Sequence, residues 1–259
     1  MKPSLALTGK RILVTRPRAQ AAVLCDKLSA QGAAPIVFPT IEIALLDDYA
    51  VLDHAIRQLA QYQWLIFTSV NGVKAFWDRL NLTGFQNLLG FTGRIAAIGP
   101  ATASALQAHD VTITLIPDEY VAESIVENIG AVRGQHILLP RADIAREALA
   151  VELQKRGAIV DEIAAYRTLP AQPDPDGLRE LQCSVDVITF TSSSTVRNFV
   201  ALVGEDAILP GAIIACIGPI TADTAREFGL RVAVMAAEYT MDGLVAALVD
   251  HFAEAVVEK

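Results

Sequence analysis

The stretch Phe67–Phe76, with the sequence FTSVNGVKAF, occurs a second time as Phe190–Phe199, FTSSSTVRNF. In each copy an apolar run ends in hydroxyl residues, and apolar residues then recur at the spacing of one buried helix face. A buried strand, a turn of hydroxyl residues and an amphipathic helix make a parallel α/β unit. Because such a strand end presents hydroxyls and free helix N–H groups, the two copies predict two similar binding edges. The apolar helix positions are Val73, Phe76, Trp77 and Leu80 in the first copy and Val196, Phe199, Val200 and Val203 in the second.

The same duplication extends over the rest of the chain. Ile95–Ala103 (IAAIGPATA) matches Ile214–Ala222 (IACIGPITA), 119 positions later (218 − 99). In this motif the glycine lets the backbone approach a ligand, and the proline suits the first position of a helix. Near the start, a strand pattern followed by Arg16 matches the strand pattern before Arg141, 125 positions later (141 − 16). Motifs that recur in the same order argue against a chance likeness, so the sequence predicts a two-fold repeat of one α/β unit.

The repeat also predicts where individual strands and turns fall. His136–Leu139 is predicted as a strand that is followed by a turn at Pro140–Asp143. A further strand is predicted after each Gly-Pro helix, at Val111–Ile116 and at Val232–Met235. Two β-rich segments, around residues 36–43 and 159–170, occupy equivalent places in the two halves and could pair with each other.

Composition restricts the classes of function. The chain has 259 residues, of which 53% are hydrophobic, enough for a sizeable core in one large domain or two ordinary ones. Its formal charge of −8 argues against general nucleic-acid or anionic-membrane binding. No apolar run approaches a membrane span, and the first residues are too poor in apolar side chains for a signal peptide. Cys25, Cys183 and Cys216 lie far apart without a CxxC pair, which favours a reducing cytoplasm.

Most catalytic signatures are missing from the sequence. It contains no Walker A run and no GxGxxG motif, which leaves nucleotide binding without support. The four histidines are scattered without metal-ligand spacing, so no metal site is predicted. The run Ser192–Ser194 could suggest a nucleophile, but no histidine motif accompanies it. We therefore interpret these serines as hydrogen-bond donors.

What remains is a set of hydroxyl and guanidinium groups at the predicted strand ends. On one interpretation the hydroxyls only cap helices, and the two arginines are solvated surface charges. On the other, the set binds a ligand with several carboxylates between two facing lobes. The matching places of the arginines, directly after a strand in each half, favour the second. The set consists of Thr15, Arg16, Thr68, Ser69, Thr102, Arg141, Ser192, Ser193, Ser194 and Thr221.

Taken together, these motifs resemble the uroporphyrinogen-III synthase family over nearly the full length of the chain. Each motif is short, and the specificity of the resemblance lies in their order and spacing. The motifs are Ile12–Pro17 with Gln20, Phe67–Ser69, Ile98–Ala103, Tyr166–Thr168, Phe190–Ser192 and Ile217–Ala222.

The resemblance implies an α/β fold of two flavodoxin-like domains, each a parallel sheet with helices on both faces, joined by a two-stranded β ladder. The first domain would be discontinuous, from residues 1–35 plus 171–259, and the second would span residues 44–158. The two β-rich segments, residues 36–43 and 159–170, would form the ladder and link the domains. The substrate would then lie in the cleft between the lobes.

The resemblance also implies a cyclising hydro-lyase of tetrapyrrole biosynthesis, on the route to haem, sirohaem or chlorophyll-type products. Such an enzyme closes the linear hydroxymethylbilane with loss of water and inverts ring D through a spiro intermediate. No metal or organic cofactor is implied, and holding the end rings in a folded geometry becomes the main catalytic task. The implied protein is a cytoplasmic monomer without nucleic-acid or membrane partners. A transient hand-over of substrate from hydroxymethylbilane synthase is compatible with it.

At the site, the resemblance assigns Tyr166 as the acid that assists the departing hydroxyl and Thr102 as a second catalytic residue, which orients the substrate. A structural Tyr166, packed and hydrogen-bonded at the ladder, is the alternative. Val70–Asn71 stands where the other half has Ser193–Ser194, so the two edges cannot bind identically. The expected substrate-binding residues are Arg16, Thr68, Ser69, Gly99, Arg141, Ser192, Ser193, Ser194, Gly218 and Thr221.

The rival hypothesis is a non-catalytic, two-lobed binding protein for an anionic metabolite. Two α/β lobes with crossing connectors also describe solute-binding proteins. A third class, a two-lobed glycosyl transferase, would need a nucleotide-sugar site that the sequence does not show. An assay with the bilane separates the first two hypotheses, because the rival predicts binding without chemical change.

Overall fold

The computed structural model describes residues 5–85, 88, 90–145, 148–172, 175–182, 185–204 and 211–257, without the side chains of 182 and 254–257. By its internal contacts the chain divides into two compact units, each with its own sheet and core. Unit 1 combines Met1–Glu42 with Leu169–Lys259, and unit 2 is the continuous segment Ile43–Thr168. Of the three cysteines, Cys183 lies outside the described residues, and Cys25 and Cys216 are free thiols.

Strands and helices alternate along most of the described chain. Among its helices, none is both long and apolar enough to cross a bilayer. The strands are β1 (Arg11–Val14), β2 (Ala34–Val37), β3 (Ile41–Ala44), β4 (Trp64–Phe67), β5 (Arg94–Ala97), β6 (His136–Ala142), β7 (Ile159–Pro170), β8 (Val187–Phe190), β9 (Ile213–Cys216) and β10 (Val232–Met235). The α-helices are α1 (Arg18–Ala30), α2 (Ala50–Arg57), α3 (Val70–Leu82), α4 (Pro100–Gln107), α5 (Ala122–Asn128), α6 (Ala148–Lys155), α7 (Pro175–Gln182), α8 (Ser193–Val203), α9 (Pro219–Glu227) and α10 (Met241–Val257).

Both units contain a parallel sheet with the same arrangement of strands. In unit 1 the order is β2-β1-β8-β9-β10, which is the 2-1-3-4-5 order of flavodoxin-like folds when strands are counted within the unit. In unit 2 the order β7-β6-β4-β5 repeats the first four places, with β3 added beside β7. The predicted α/β class with two flavodoxin-like sheets is therefore confirmed.

The strand registers show that the repeat is structural as well as sequential. Arg11 of β1 pairs with Ala34 of β2, and His136 of β6 pairs with Ile159 of β7. Both partners are displaced by 125 residues (136 − 11 and 159 − 34), the spacing that the sequence predicts for Arg16 and Arg141. Equivalent strand pairs therefore occupy equivalent places in the two sheets.

Two local predictions are wrong in extent. The turn predicted at Pro140–Asp143 is mostly strand, because β7 continues beside β6 until Ala142 pairs with Tyr166 after a register shift. The strand predicted at Val111–Ile116 is reduced to an isolated bridge at Leu115. This bridge takes the place that β10 occupies in unit 1. By contrast, the last predicted strand is found as β10.

The predicted ladder segments are divided between the two sheets. β2 pairs with β1 in unit 1, whereas β3 is hydrogen-bonded to β7 in unit 2. Pro39 lies between β2 and β3, where the absence of a backbone N–H removes no ladder bond. Contacts place the borders between the units after Glu42 and Thr168. The predicted domain boundaries, and the role of residues 36–43 and 159–170 as linkers, stay predictions.

Equivalent aromatic pairs fix the first helix of each copy on its sheet. Phe67 at the end of β4 meets Phe76 of α3 edge to face, with ring centroids 5.5 Å apart. Phe190 at the end of β8 meets Phe199 of α8 in the same way at 5.4 Å. The predicted apolar faces of both helices are buried, except that Val203 is half-buried near the end of α8. Burial of such side chains contributes about 1.5–3 kcal/mol each, which fixes the start of each helix above its strand.

Candidate functional site

The carboxyl ends of the parallel strands carry most of the predicted site residues in each unit. In unit 1, Arg16 follows β1 and Ser192 follows β8; in unit 2, Arg141 lies near the end of β6 and Ser69 follows β4. The neighbours β1 and β8, and equally β6 and β4, are the strands between which the sheet order reverses. Ligands of open α/β sheets bind outside the carboxyl ends at this switch point. Both units therefore present a candidate site there.

Arg16 is held across the switch point of unit 1. Its Nη1 donates to Oγ1 of Thr191, which follows β8, at 3.2 Å. Its Nε donates to the backbone oxygen of Gln20 at 3.2 Å, and its Nη2 donates to Oε1 of Gln20 at 3.1 Å. Burial lowers the pKa of the Arg16 guanidinium below its ordinary value, although an arginine stays charged at neutral pH. Within the described residues, no carboxylate lies at ion-pair distance from Arg16. A fixed cation with neutral partners is suited to binding a carboxylate.

The three serines after β8 do different things. Ser192 caps α8: its Oγ accepts from the backbone N–H of Thr195, and the Thr195 hydroxyl accepts from the Ser192 N–H, both at 3.3 Å. The Ser193 hydroxyl accepts from the Thr224 hydroxyl at 2.8 Å and so links α8 to α9. Ser194 Oγ lies 2.9 Å from Ser192 Oγ. The substrate-binding role of all three serines stays a prediction. Ser192 and Ser193 already form hydrogen bonds that stabilise the local structure.

Gly99 and Gly218 are packed against tyrosine rings of their own units. Each glycine caps a helix that begins with proline, α4 and α9 respectively. A Cβ at Gly99 would lie 3.0 Å from Cγ of Tyr120, and a Cβ at Gly218 would lie 3.2 Å from Cγ of Tyr239. The repeated requirement for glycine is thus explained by close approach of a ring. Their predicted contact with a substrate stays a prediction.

The predicted threonines are more buried than a binding role requires. Thr102 and Thr221 lie in the first turns of α4 and α9 and are only 4% and 5% exposed. Their roles stay predictions, and burial limits any substrate contact to a small part of each side chain. The inclusion of Thr15 among the ligand-binding groups is wrong, because it is fully buried and donates to the backbone oxygen of Thr189 at 2.7 Å. Thr68 is half-buried at the end of β4.

In unit 2, the structure brings Tyr166 to the end of β4. The Tyr166 hydroxyl lies 3.1 Å from Oγ of Ser69, a residue 97 positions away in the sequence. Ser69 is also the N-cap of α3, and its Oγ accepts from the backbone N–H of Gly72 at 2.9 Å. The side chain of Asn71, in the first turn of the same helix, lies close enough to the Tyr166 hydroxyl to lower its pKa. Two predicted site residues and one unpredicted residue thus share one polar cluster.

The surroundings of Tyr166 keep its phenol protonated. Burial is the largest effect and raises the pKa of Tyr166 above its ordinary value. The hydrogen bonds from Ser69 and Asn71 and the charge of Arg141 act in the opposite direction, whereas Asp143 raises the pKa further. Because an unperturbed tyrosine already ionises only near pH 10, the phenol can donate a proton at neutral pH but cannot serve as a base.

Arg141 differs from Arg16 in its partner. It is 8% exposed, and its Nη1 donates to Oε1 of Glu162 in the adjacent strand β7 at 2.6 Å. Its Nε is buried and has no hydrogen-bond partner among the described residues. The equivalence of the two arginines therefore holds for their position at a strand end but not for their charge balance. The unpartnered donor of Arg141 is enclosed by the protein, so its predicted substrate contact stays a prediction.

The sequence interpretation missed two members of these clusters. Thr191 is visible in the sequence as a hydroxyl directly after the strand β8, and the switch point of the sheet order would have singled it out. In the sequence, Asn71 stands out only as a departure from the repeat. A residue that breaks a duplication at the predicted site is itself a signal that the two copies have different roles.

The chain is similar to known proteins of one family. The family model "Uroporphyrinogen-III synthase HemD" matches residues 22–246. A relative from Synechococcus elongatus named "Uroporphyrinogen-III synthase" is 40% identical over 252 residues, which cover 93% of this chain and 95% of the relative. A "Putative uroporphyrinogen-III synthase" from Methanothermobacter thermautotrophicus is 32% identical over 254 residues, covering 91% and 96%.

Solved structures share the fold. A mutant uroporphyrinogen III synthase from Thermus thermophilus has a TM-score of 0.69 and 21% identity, and the match covers 97% of this chain and all of that chain. Uroporphyrinogen-III synthetase from Helicobacter pylori has a TM-score of 0.61 and 17% identity, with 94% of this chain and all of that chain covered. At these identities the likeness shows the fold alone.

Removing the carboxylate partner of Arg141 should destabilise unit 2. The Glu162→Ala variant leaves a guanidinium that is 8% exposed without an ionic partner. Breaking a buried ion pair from one side costs about 3–5 kcal/mol, and the partial exposure of Glu162 reduces this to about 2 kcal/mol in the free energy of unfolding. Urea unfolding followed by circular dichroism measures the loss.

The matched control for this prediction is Glu152→Ala. Glu152 pairs with Lys155 at 2.6 Å, but both side chains are largely exposed. Such pairs contribute about 0–1 kcal/mol. Equal losses of stability in the two variants would show that the Arg141–Glu162 pair contributes no more to the free energy of unfolding than an exposed pair does.

Proposed function

The chain belongs to the uroporphyrinogen-III synthase family, and we propose that it closes hydroxymethylbilane to uroporphyrinogen III with loss of water and inversion of ring D. It is a cyclising lyase of tetrapyrrole biosynthesis. The observation that carries the proposal is the family match over residues 22–246, which includes the strand ends of both units except that of β1, where Arg16 lies. The polar cluster around Tyr166 supplies a proton donor at one of these edges.

In the proposed first step, the hydroxyl group leaves the terminal hydroxymethyl carbon of the bilane. The lone pair of the pyrrole nitrogen forms a conjugated cation as the C–O bond breaks, and the bonding pair leaves with the oxygen. Tyr166 donates its phenolic proton to that oxygen, so that water departs and a phenolate remains. After the last ring closure, ring D loses a proton as it regains aromaticity, and this proton restores the phenol.

The regiochemistry of attack is the harder part of the task. Direct closure at the free carbon of ring D gives the uninverted isomer without an enzyme. Attack by the substituted carbon instead gives a spiro intermediate, which reopens and closes again with ring D inverted. The protein must therefore hold the end rings so that the substituted carbon reaches the cation first, which is a positioning effect. The acetate and propionate side chains of the bilane provide carboxylates that the protein can bind to hold the rings in place.

The anchors for these carboxylates are proposed for each unit separately. In unit 1, Arg16 is the principal anchor, because its guanidinium is fixed by neutral partners and no described carboxylate competes for it. Ser194 adds a hydroxyl at the start of α8. In unit 2, the half-buried Thr68 is the corresponding donor, and a substrate contact of the more deeply buried Arg141 stays an expectation. Charge-assisted hydrogen bonds of this kind are about twice as strong as neutral ones.

Location and assembly are part of the same proposal. We assign the protein to the cytoplasm as a monomer that acts on a free tetrapyrrole. The free thiols Cys25 and Cys216 are consistent with a reducing compartment. Direct transfer of the bilane from hydroxymethylbilane synthase is a further element of this proposal.

The identity of the product isomer tests the function. Purified protein is incubated with freshly generated hydroxymethylbilane, and the products are oxidised to uroporphyrins and separated by chromatography. We expect the inverted isomer, because the family reaction includes inversion of ring D. A sample that yields only the uninverted isomer, at the rate seen without protein, would refute the proposal. Binding of the bilane without any change in isomer ratio would favour the non-catalytic binding protein.

Replacing Tyr166 tests its role as the acid. Tyr166→Phe removes the proton donor while keeping the ring, so we expect turnover to fall by about ten- to a hundredfold, below the 10²–10⁴ range of general acids because the pyrrole nitrogen assists departure. Initial rates of uroporphyrinogen III formation measure this, and circular dichroism checks the fold. Tyr62→Phe is the matched control, because the Tyr62 hydroxyl donates to Asp161 at 2.5 Å near the amino end of β4. Unchanged turnover in Tyr166→Phe would remove the acid role.

Replacing Arg16 tests carboxylate anchoring. Arg16→Gln keeps a hydrogen-bonding side chain but removes the charge, so we expect KM for the bilane to rise about tenfold or more, since a hydrogen bond to a charged group contributes about 1.5–3 kcal/mol. Arg231→Gln is the matched control: it changes the charge equally on an exposed residue at the amino end of β10. Equal KM values for the two variants would show that Arg16 does not bind substrate.

A further inference from the structure

We propose that Asn71 and Ser69 are positioning residues that both donate hydrogen bonds to the Tyr166 hydroxyl, so that its own proton points away from them towards the leaving group. This inference rests on the proposed function, since it assigns an orientation to the acid of that reaction. It adds Asn71 to the site and changes the expected role of Ser69 from a substrate contact to a support of Tyr166. Both residues lie at the start of α3, so one helix terminus holds the phenol.

The proposed direction of each hydrogen bond is the one that uses the donors and acceptors present most fully. Ser69 Oγ already accepts the backbone N–H of Gly72 at 2.9 Å, and its hydroxyl hydrogen has the Tyr166 oxygen as an acceptor at 3.1 Å. Asn71 lies two residues after Ser69 in the first turn of α3, and it acts on the Tyr166 hydroxyl in the direction that favours the phenolate. We therefore assign its amide N–H as the second donor, since an amide N–H stabilises a phenolate and an amide oxygen does not. A phenol oxygen that accepts from two neighbours has only its own hydrogen left to donate. That hydrogen is then free for a third partner.

The duplication shows that this arrangement belongs to one unit only. The counterpart of Tyr166, 125 positions earlier, is Ile41, a buried apolar residue at the start of β3. The counterparts of Val70 and Asn71 are Ser193 and Ser194, of which Ser194 makes its contact with the neighbouring cap Ser192. Where the tyrosine is missing, the asparagine is missing too. The paired occurrence is what a shared task predicts.

The charged groups next to the phenol are fixed by other contacts. Arg141 of β6 favours the phenolate and is paired with Glu162 of β7. Asp143, directly after β6, disfavours the phenolate, and its Oδ1 accepts the backbone N–H of Thr168 at 3.1 Å. The Asp143 N–H donates to the backbone oxygen of Tyr166 at 3.0 Å. Arg141 and Asp143 act on Tyr166 in every variant described below. A difference in the pKa of the phenol between variants therefore measures the effect of Ser69 or Asn71.

The first experiment measures ionisation at position 166 and needs no substrate. A genetically encoded fluorinated tyrosine replaces Tyr166, because its phenol ionises at lower pH and its phenolate absorbance can be titrated in the folded protein. Removing a donor removes a bond that favours the phenolate, so Ser69→Ala and Asn71→Ala should each raise the pKa of this phenol, by about one unit. Ser69→Thr keeps both the cap and the hydroxyl and should leave it unchanged.

The sign of the shift decides between the two directions of the Ser69 bond. If Tyr166 instead donates to Ser69, that bond favours the neutral phenol, and Ser69→Ala lowers the pKa. A lowered or unchanged pKa in Ser69→Ala, or an unchanged pKa in Asn71→Ala, overturns the proposal. Because the titration is independent of turnover, this result stands whether or not the isomer assay supports the proposed function.

The second experiment measures turnover with the natural tyrosine. Asn71→Ala should lower kcat about three- to tenfold with little change in KM, because it misorients the acid without removing a substrate contact. Asn71→Asp replaces the amide donor by a carboxylate that accepts the phenolic proton, so its kcat should fall further. A change confined to KM would make Asn71 a substrate-binding residue and contradict the positioning role. Ser69→Thr should restore the rate that Ser69→Ala loses.

Discussion

The junction between a buried strand and a serine-capped helix controls the placement of the candidate groups on α3 and α8. In each copy the serine after the strand accepts a backbone N–H of the helix, from Gly72 to Ser69 at 2.9 Å and from Thr195 to Ser192 at 3.3 Å. This bond fixes the residue at which the helix begins, and the edge-to-face phenylalanine pair beneath it fixes the helix on the sheet. The first turn of the helix, with its side chains and free N–H groups, is thereby placed at the carboxyl edge of the sheet. Neither Asn71 nor Ser194 could be positioned without that junction.

Duplication supplied two such edges, and the residues around them have diverged into different tasks. The edge of unit 1 has a cation, Arg16, held by the neutral groups of Thr191 and Gln20. The edge of unit 2 has a buried phenol, and its arginine is already paired with Glu162. Identical anion sites would not distinguish one end of a chain-like polycarboxylate from the other. Under the proposed function, the two edges therefore differ in what they offer to a substrate: a cation in unit 1 and a proton donor in unit 2.

Much of the fold could be predicted from the sequence because the repeat is visible in short motifs. The motifs gave the two sheets and the equivalent strands, since strand, turn and helix signals are local. The prediction of a strand at residues 111–116 was wrong, because this apolar segment forms only a single bridge, at Leu115. The site was harder to predict. Tyr166 and Ser69 are 97 residues apart, and Glu162 reaches Arg141 only because β7 lies beside β6. Such contacts depend on strand order, and no local pattern encodes strand order.

The net negative charge of the protein restricts where a polycarboxylate can bind. With 29 acidic and 21 basic residues, the chain as a whole repels a polycarboxylate, so binding depends on local cations whose charge is not already balanced. Arg141 is a poor candidate for the main anchor, because Glu162 neutralises it and Asp143 lies close by. Arg16 has neither neighbour, and its partial burial strengthens each hydrogen bond that it makes to an anion. In unit 2, burial instead raises the pKa of Tyr166 and keeps its phenol neutral. The proposed function therefore assigns anion binding to unit 1 and proton donation to unit 2, so that the two copies of the repeat have different roles.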